Sequence, residues 1–496
     1  MPQTPIPNFH NARLSLVQSF IREVICKKLT NTPGSGLFAD HPVMRAVGAT
    51  LVGIEQGALP DTAAAFGFYD AESAARRLDG GAAAFPAADC LDLLVKYAIA
   101  WALDDTAWMQ QIKSEYTDSP CDPGWLTAAI TWLAYYWDGQ LPDYAPPTAT
   151  EPQPIPLPPP AAAGQPLRVG ILGDWGTGQE EAAAVLDQLM QQTPDVIIHV
   201  GDIYYSGTHD ECVSNFLDLI NDARAKYRRL IPVYTLPGNH DYYSGGQGFY
   251  SMLAQLNLGA GHAQVQQNSF FCLQNDSWQL EGMDTGYNDH DLLKVADDTT
   301  KLRPDEAAWH AEQLAAAGAR KVILLSHHQL FSAFATIGAV GSSGPSYQNP
   351  YLLQNLATWR TTGNPNIVAW LWGHEHLLEV YAVPGTQSSD LPVLGRCVGH
   401  SAFPVFNNQG DYTPITQDIP LESAPKPEFP NGYVQTGTED EIYAHGYVLL
   451  TLAAESATAN YYQVNDPGSV SGASSQLLWS EPIPAPAQEM LPTGCD

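Results

Sequence analysis

Basic residues are scarce in this sequence. Of its 496 residues, 22 are Lys or Arg and 53 are Asp or Glu, which gives a formal net charge of −31. A negative field of this size repels nucleic-acid backbones and anionic membrane surfaces. We therefore expect no nucleic-acid polymer as a partner, and an anionic ligand would need a local positive centre such as a metal pair. The charge is equally compatible with a role in solubility alone.

Cysteine pairs and long apolar runs are also missing. The seven cysteines are scattered and none forms a C-x-x-C pair, so neither a disulfide framework nor a zinc knuckle is indicated. No stretch approaches the roughly 18 apolar residues that span a bilayer. Residues 1–20 lack the basic segment and apolar run of a signal peptide. We expect no membrane span and a cytoplasmic location, with export by another route left open.

What the sequence contains is arranged in three parts. Residues 1–139 carry apolar residues at helical spacing, which predicts a helical N-terminal domain of unknown role. Residues 140–166 are rich in proline, which disfavours a regular element and predicts an extended, semi-rigid connector. In residues 167–496, short apolar runs alternate with helical patterns, which predicts an α/β core with parallel strands.

Polar residues follow five of the predicted strands. Ligand sites in α/β sheets form at the carboxyl edge of the strands, so we expect these residues to lie close together. Each segment alone is a weak pattern, but five of them in this order are a strong one. The segments are GDWG (173–176), GDIYY (201–205), GNHD (238–241), SHH (326–328) and GHEH (373–376).

The side chains in these segments have the chemistry of metal ligands. Aspartate, asparagine and histidine offer mixed oxygen and nitrogen donors, which suit iron, manganese or zinc better than a thiolate site would. A single ion rarely takes so many protein ligands and still leaves room for water and substrate. The set therefore predicts two metal ions that share one carboxylate.

Taken as a set, the five segments resemble the motifs of the calcineurin-like metallophosphoesterase superfamily. Within it they are similar to purple acid phosphatases, which have Asp-x-Gly at the first motif and Gly-Asp-x-x-Tyr at the second. Asp174 with Gly176, and Asp202 with Tyr205, match these patterns. The resemblance covers roughly residues 167–465. It implies an α/β fold of the four-layer α/β/β/α sandwich type, here with an additional N-terminal all-α domain.

The resemblance also implies how the ligands divide between the metal ions. Tyrosine binds as a phenolate, which a strongly Lewis-acidic ion favours. Iron, ferric in particular, is therefore expected at the tyrosine site, with iron, manganese or zinc at the second. The first ion is expected to take Asp174, Asp202, Tyr205 and His376, and the second Asp202, Asn239, His327 and His374.

Two residues beside the expected ligands are assigned to proton transfer. The metal ions would lower the pKa of a bound water, and the resulting hydroxide would attack phosphorus in line. His240 is expected to steer the phosphate and protonate the leaving oxygen, because the pKa of histidine lies near the working range. Asp241 is expected to orient His240 and raise its basicity. A purely structural role for His240 stays open.

Two further histidines, His328 and His400, could have either a structural or a functional role. His328 either contacts substrate or is itself the ligand in place of His327, if the strand runs one residue longer. His400 follows another apolar run and either lines the mouth of the site or packs in the interior. Because isolated histidines are a weak pattern, structural roles are favoured for both.

Three functions are compatible with the sequence. A metal-dependent phosphomonoesterase of the acid phosphatase type, acting on a small phosphate ester, is favoured. The alternative is a phosphodiesterase on the same fold, with a nucleotide or lipid-headgroup substrate. The third is a binding module with a vestigial metal site, against which the ligands in all five segments argue. A homo-oligomer is also compatible, since the helical domain could cap the site, mediate dimerisation or bind a partner.

Overall fold

The structure of the chain is a computed structural model, which describes residues 140–483 with internal gaps, and Thr131, Tyr135 and Tyr136 before them. The gaps are 163, 262–263, 291–298, 339–345, 365, 385–390, 406–413, 422–437, 440–441 and 469. The predicted helical domain therefore lies outside the described residues, apart from those three, which are helical. In the described part of the chain, no helix has the length and apolar content needed to cross a membrane.

One of the two large sheets has six strands. Its strands in spatial order are β15 (Ser474–Ile483), β14 (Ala457–Asn465), β13 (Gly446–Leu452), β2 (Leu167–Leu172), β3 (Val196–His199) and β4 (Val233–Thr235). β2, β3 and β4 are parallel, and β13 pairs antiparallel with β2 and with β14. The chain after residue 445 thus adds three strands to this sheet.

The second sheet has seven strands. In spatial order they are β1 (Ile155–Pro156), β5 (Phe271–Gln274), β6 (Trp278–Met283), β7 (Lys321–Ser326), β8 (Ile367–Trp372), β10 (Leu394–Val398) and β9 (Leu378–Val380). β6, β7, β8 and β10 are parallel. A separate two-stranded ribbon is formed by β11 (Thr438–Glu439) and β12 (Ile442–Tyr443).

Helices lie between the strands along the chain. They are α1 (Glu180–Gln191), α2 (His209–Glu211), α3 (Asp218–Tyr227), α4 (Asn239–Tyr242), α5 (Gln247–Leu256), α6 (Pro304–Ala316) and α7 (Pro350–Thr362), with a π-helical turn at Cys212–Leu217 and a 3-10 turn at Tyr287–Asp289. α1, α3 and α5 pack on the six-stranded sheet, while α6 and α7 pack on the seven-stranded one. α6 starts with proline and two acidic residues, and the Asn349 side chain caps α7. Both are favourable at a helix N-terminus.

Successive side chains of the central strands point alternately to the space between the two sheets and to the helices outside, which gives four layers. In β3, Ile198 faces the core between the two sheets, while Ile197 packs with the helices outside. In β7, Ile323 faces the same central core, and Leu324 packs with α6 and α7. Strands buried on both faces need apolar residues at every position, which explains the continuous apolar runs. The expected α/β/β/α sandwich is confirmed.

The proline-rich segment is bound into the sheet rather than running free of it. Its residues Ile155 and Pro156 form the short strand β1, which pairs parallel with β5. The Ile155 and Leu157 side chains are buried in the central core. Proline is tolerated there because β1 is an edge strand. The segment therefore adds apolar burial to the sandwich, which its proline content alone does not predict.

Candidate metal centre

The loops that carry the expected ligands meet at the carboxyl ends of the strands. Asp174 follows β2, Asp202 follows β3, His327 follows β7, and His374 and His376 follow β8. A sixth residue, Asn239, opens α4 just after β4. One potential ligand atom from each of Asp174, Asp202 and His376 lies within 4.8 Å of the others, and the same holds for His327, His328 and His374.

The first group is formed around Asp174. The Tyr204 hydroxyl donates to Asp174 Oδ1 at 3.0 Å and lies 3.0 Å from His376 Nε2. Asp174 Oδ1 and His376 Nε2 are 3.4 Å apart. Donor atoms that bind one ion at about 2.0 to 2.2 Å are separated by about 3.0 to 3.5 Å. A carboxylate, a phenol and an imidazole therefore converge at ligand spacing.

Two adjacent tyrosines follow Asp202, and their surroundings differ. The Tyr204 side chain is buried, and its hydroxyl makes the contacts described above. Tyr205 is half-buried, with its ring centroid 5.9 Å from that of Tyr204 and 6.3 Å from that of Phe403. Tyr204 thus has the contacts that the family resemblance implies for Tyr205.

The second group is formed around His327. Its Nε2 atom lies 3.2 Å from Asn239 Oδ1, 3.2 Å from His374 Nδ1 and 3.4 Å from Asp202 Oδ2. Three potential ligand atoms from three other loops thus lie within 3.4 Å of His327 Nε2. Asp202 also belongs to the first group, so its carboxylate lies next to both groups.

Hydrogen bonds to neighbouring residues orient two of these side chains. The His327 ring donates through Nδ1 to the Val200 carbonyl at 3.1 Å, which turns Nε2 towards the centre. Asn239 donates through Nδ2 to the Tyr243 hydroxyl at 2.6 Å, which leaves Oδ1 facing His327. Partners of this kind fix the ring tautomer and the direction of a metal ligand.

Four of the expected ligands have a left-handed backbone. The φ angles are 55° at Asp174, 75° at Asp202, 71° at His374 and 56° at His376. Non-glycine residues rarely adopt this conformation, which costs on the order of 1 to 3 kcal/mol each and clusters at functional sites. The loops are therefore held in an unfavourable shape by their surroundings.

Two glycines, Gly238 and Gly399, have no side chain that would clash with the carboxylates of Asp202 and Asp174. A Cβ atom at Gly238 would collide with Asp202 Oδ1. A Cβ atom at Gly399, which follows β10, would lie 2.6 Å from Asp174 Oδ2. Gly399 lies outside the five segments, so its role at the site was missed in the sequence, although it too follows an apolar run.

His240 and Asp241 lie directly beside the centre. His240 Nδ1 donates to the Tyr205 carbonyl at 2.7 Å, and its Nε2 lies 3.9 Å from Asp202 Oδ2. Asp241 Oδ2 instead accepts the main-chain N–H groups of Gly238, at 2.7 Å, and Asp202, at 3.1 Å. The carbonyl of Tyr205 therefore orients His240, while Asp241 ties together two of the site loops.

The two remaining histidines lie in different places. His328 is buried beside the second group, and its ring nitrogens contact Thr285 and Asp289. His400 is buried against Gly446, and burial lowers its pKa to about 3, so its ring is neutral at physiological pH. The ring that covers the first group is that of Phe403, 4.4 Å from Tyr204 and 4.3 Å from His376 between centroids.

The electrostatics of the site favour a bound cation. Asp174 and Asp202 are buried, and imidazoles are their ion-pair partners. Burial raises the pKa of Asp174 to about 8, so an ionised carboxylate there needs added positive charge. Burial and the Asp174 carboxylate raise the pKa of Tyr204 well above its usual value. Ionisation of that phenol requires a strongly Lewis-acidic ion. The donor set, spacing and charge fit two metal ions.

The fold and this donor set define a metal-dependent phosphoesterase. Residues 167–378 match the sequence profile of the family described as calcineurin-like phosphoesterase. This part of the chain is therefore a calcineurin-like phosphoesterase domain, which confirms the family and enzyme class predicted from the motifs. No curated protein sequence matches the chain significantly.

Solved structures of low sequence identity also resemble the chain. One described as "Structure of PhoD" is 13% identical, with a TM-score of 0.41, and the match covers 65% of this chain and 70% of that one. The purple acid phosphatase PPD1 from yellow lupin (Lupinus luteus) is 15% identical, with a TM-score of 0.38, and the match covers 66% and 55%. Vps29 from Entamoeba histolytica is 12% identical, with a TM-score of 0.24, and the match covers 62% and 97%.

Proposed function

We propose that the chain hydrolyses small phosphate monoesters at a binuclear metal centre. The observation that carries this proposal is the convergence of carboxylate, phenol, carboxamide and imidazole donors in two adjoining groups that share Asp202. A strongly acidic chain has no general attraction for phosphate. Two cations bound at the two adjoining groups would attract the phosphate.

Each of the two groups supplies the proposed ligands of one metal ion. Asp174, Tyr204 and His376 would hold the first ion, Asn239, His327 and His374 the second, and Asp202 both. When bound, two such ions supply Lewis acidity towards phosphate oxygens and an activated water at working pH. The phenol oxygen favours iron at the first position, and the imidazoles and the carboxamide suit iron, manganese or zinc at the second.

His240 is the residue proposed to protonate the leaving oxygen. Its Nδ1 is engaged by the Tyr205 carbonyl, so Nε2, which lies 3.9 Å from Asp202 Oδ2, is the ring nitrogen directed at the centre. A histidine fixed in this way can hold a proton at Nε2 and deliver it as the ester bond breaks. Asp241 contributes indirectly, because it holds the main chain of Gly238 and Asp202.

The experiment that tests the proposed function compares two substrates. We expect a metal-loaded preparation to show a higher kcat/KM for an aryl phosphate monoester than for the matching bis-aryl diester, measured from acid to neutral pH. Diester preference near neutral pH would instead indicate a phosphodiesterase, and no hydrolysis of either ester by protein with two bound ions would indicate a binding module. A preparation of Asp202→Asn, purified in parallel, measures the contribution of contaminating phosphatases.

Replacing His240 by alanine should lower kcat by about 10² to 10⁴-fold for an alkyl phosphate, because proton transfer to a poor leaving group is lost. The loss should be smaller for a nitrophenyl phosphate, whose leaving group needs little protonation. Metal content should stay at the wild-type level. His209→Ala, at an exposed histidine on α2, is the matched control. Equal losses for both substrates would refute proton donation by His240.

A further inference from the structure

The His328 ring is held on both of its nitrogens by one loop, residues 284–289, which follows β6. Thr285 Oγ1 accepts the main-chain N–H of His328 at 2.9 Å and lies 3.0 Å from ring atom Nδ1. On the other side, Nε2 lies 2.9 Å from Asp289 Oδ2. The carboxylate accepts Nε2–H, and the threonine hydroxyl then donates to Nδ1. Both ring nitrogens are thus engaged by protein, which leaves neither for phosphate.

The same ring packs against both imidazoles of the second group. Its centroid lies 4.3 Å from that of His374, at an interplanar angle of 40°, and 4.9 Å from that of His327, at 89°. His328 therefore limits how far the rings of His327 and His374 can turn. Tilted and edge-to-face rings at these distances are favourable arrangements for aromatic pairs.

The loop that holds His328 is itself tied to the rest of the domain. Asp284 accepts the Tyr242 hydroxyl of α4 at 2.6 Å and the main-chain N–H of Tyr287 at 2.9 Å. Its own N–H donates to Glu306 of α6 at 2.7 Å. Gly286 lies so close to Gly238 that a Cβ atom would collide with the Gly238 carbonyl. Asp289 and Thr285 are therefore presented from a supported backbone.

We propose that Asp289 and Thr285 are positioning residues, which act through His328 to hold His327 and His374 in place for the second metal ion. These roles presuppose the binuclear centre proposed above. Asp289 is buried, so removing its carboxylate leaves the His328 N–H without an acceptor in the interior. The His328 ring would then rotate to form another hydrogen bond, and the packing that holds the His327 and His374 rings would be lost.

The test measures metal binding directly rather than activity. Metal-free protein is titrated with Mn²⁺ by calorimetry, and bound metal is counted by elemental analysis. We expect Asp289→Ala to bind the second ion about 10- to 100-fold more weakly, the usual cost of losing an orienting partner, with the first ion unchanged. Asp289→Asn keeps an acceptor for Nε2–H and should restore wild-type binding. Asp195→Ala removes a buried aspartate before β3 and should leave both constants unchanged.

The outcomes separate this proposal from the proposed function. Wild-type protein that binds fewer than two ions would overturn the binuclear centre itself. Wild-type protein with two ions, and Asp289→Ala with both constants unchanged or equally weakened, would overturn the positioning role alone. If Asp289→Ala fails to fold, Thr285→Val tests the other ring nitrogen, and unchanged binding of the second ion in that variant overturns the proposal.

Discussion

Replacing Tyr204 by phenylalanine should abolish the visible charge-transfer absorption of the iron-loaded protein, whereas Tyr205→Phe should preserve it. The reason is that the Tyr204 hydroxyl lies 3.0 Å from both Asp174 Oδ1 and His376 Nε2. We also expect the first ion to bind at least 10-fold more weakly in Tyr204→Phe, because loss of a ligand costs no less than loss of an orienting partner. Absorption spectra and iron titrations of the two variants measure both effects.

The two variants control for each other, since each removes one hydroxyl from neighbouring residues of the same loop. The ring of Tyr204 packs against Phe403 and His240, and phenylalanine keeps this packing, so a similar melting temperature is expected for both. Loss of the absorption in Tyr205→Phe alone would assign the ligand to Tyr205, as motif spacing predicts. If iron-loaded wild-type protein is colourless, unchanged iron affinity in Tyr204→Phe would refute its role.

Asp202→Asn is expected to have the largest effect of any single substitution at the centre. Asparagine has the same shape and tolerates the left-handed backbone at this position, where φ is 75°. It removes the negative charge that both ions would share, so both should bind more weakly. Losing the metal contribution to transition-state stabilisation costs several kcal/mol, so kcat/KM should fall on the order of 10³-fold or more.

The matched control for this variant is Asp195→Asn, at a buried aspartate that accepts N–H groups of Ala161 and Arg168 remote from the five ligand loops. It should keep wild-type metal content and activity. Elemental analysis after dialysis and kcat/KM for an aryl phosphate provide the measurement. If Asp202→Asn retained two ions at wild-type affinity, Asp202 would not be the bridging ligand.

Much of the fold could be predicted from hydrophobic patterning. The runs LRVGIL, WQLEGM, KVILLS and IVAWLW coincide with β2, β6, β7 and β8, because a strand buried on both faces needs an uninterrupted apolar sequence. The segment PDEAAWHAEQLAAAG has a helical pattern and likewise contains α6. The short strand β1 was missed, because its pairing with β5 comes from a partner more than a hundred residues away.

The location of the site was also predictable, but its second layer of contacts was not. Polar residues after consecutive parallel strands must gather at one edge of the sheet, which is why five segments sufficed to locate it. The loop after β6 obeys the same rule, and Asp284 and Thr285 directly after WQLEGM could have drawn attention to it. Asp289 could not have been found this way, since it reaches His328 only through the 3-10 turn at Tyr287–Asp289.

By itself, then, the sequence determined an α/β core, the edge of the sheet at which the site forms and the chemical types of its ligands, because apolar periodicity and the polar residues that follow each run are local properties of the chain. The four-layer sandwich followed from the resemblance of the five segments to a known family. Only the tertiary structure decided between neighbours: Tyr204 faces Asp174, and His327 rather than His328 faces Asn239. It also directed Asp241 to main-chain N–H groups instead of His240. These orientations depend on the left-handed backbone conformation of residues such as Asp202. Contacts between distant loops impose that conformation, and the periodicity of the sequence does not encode it.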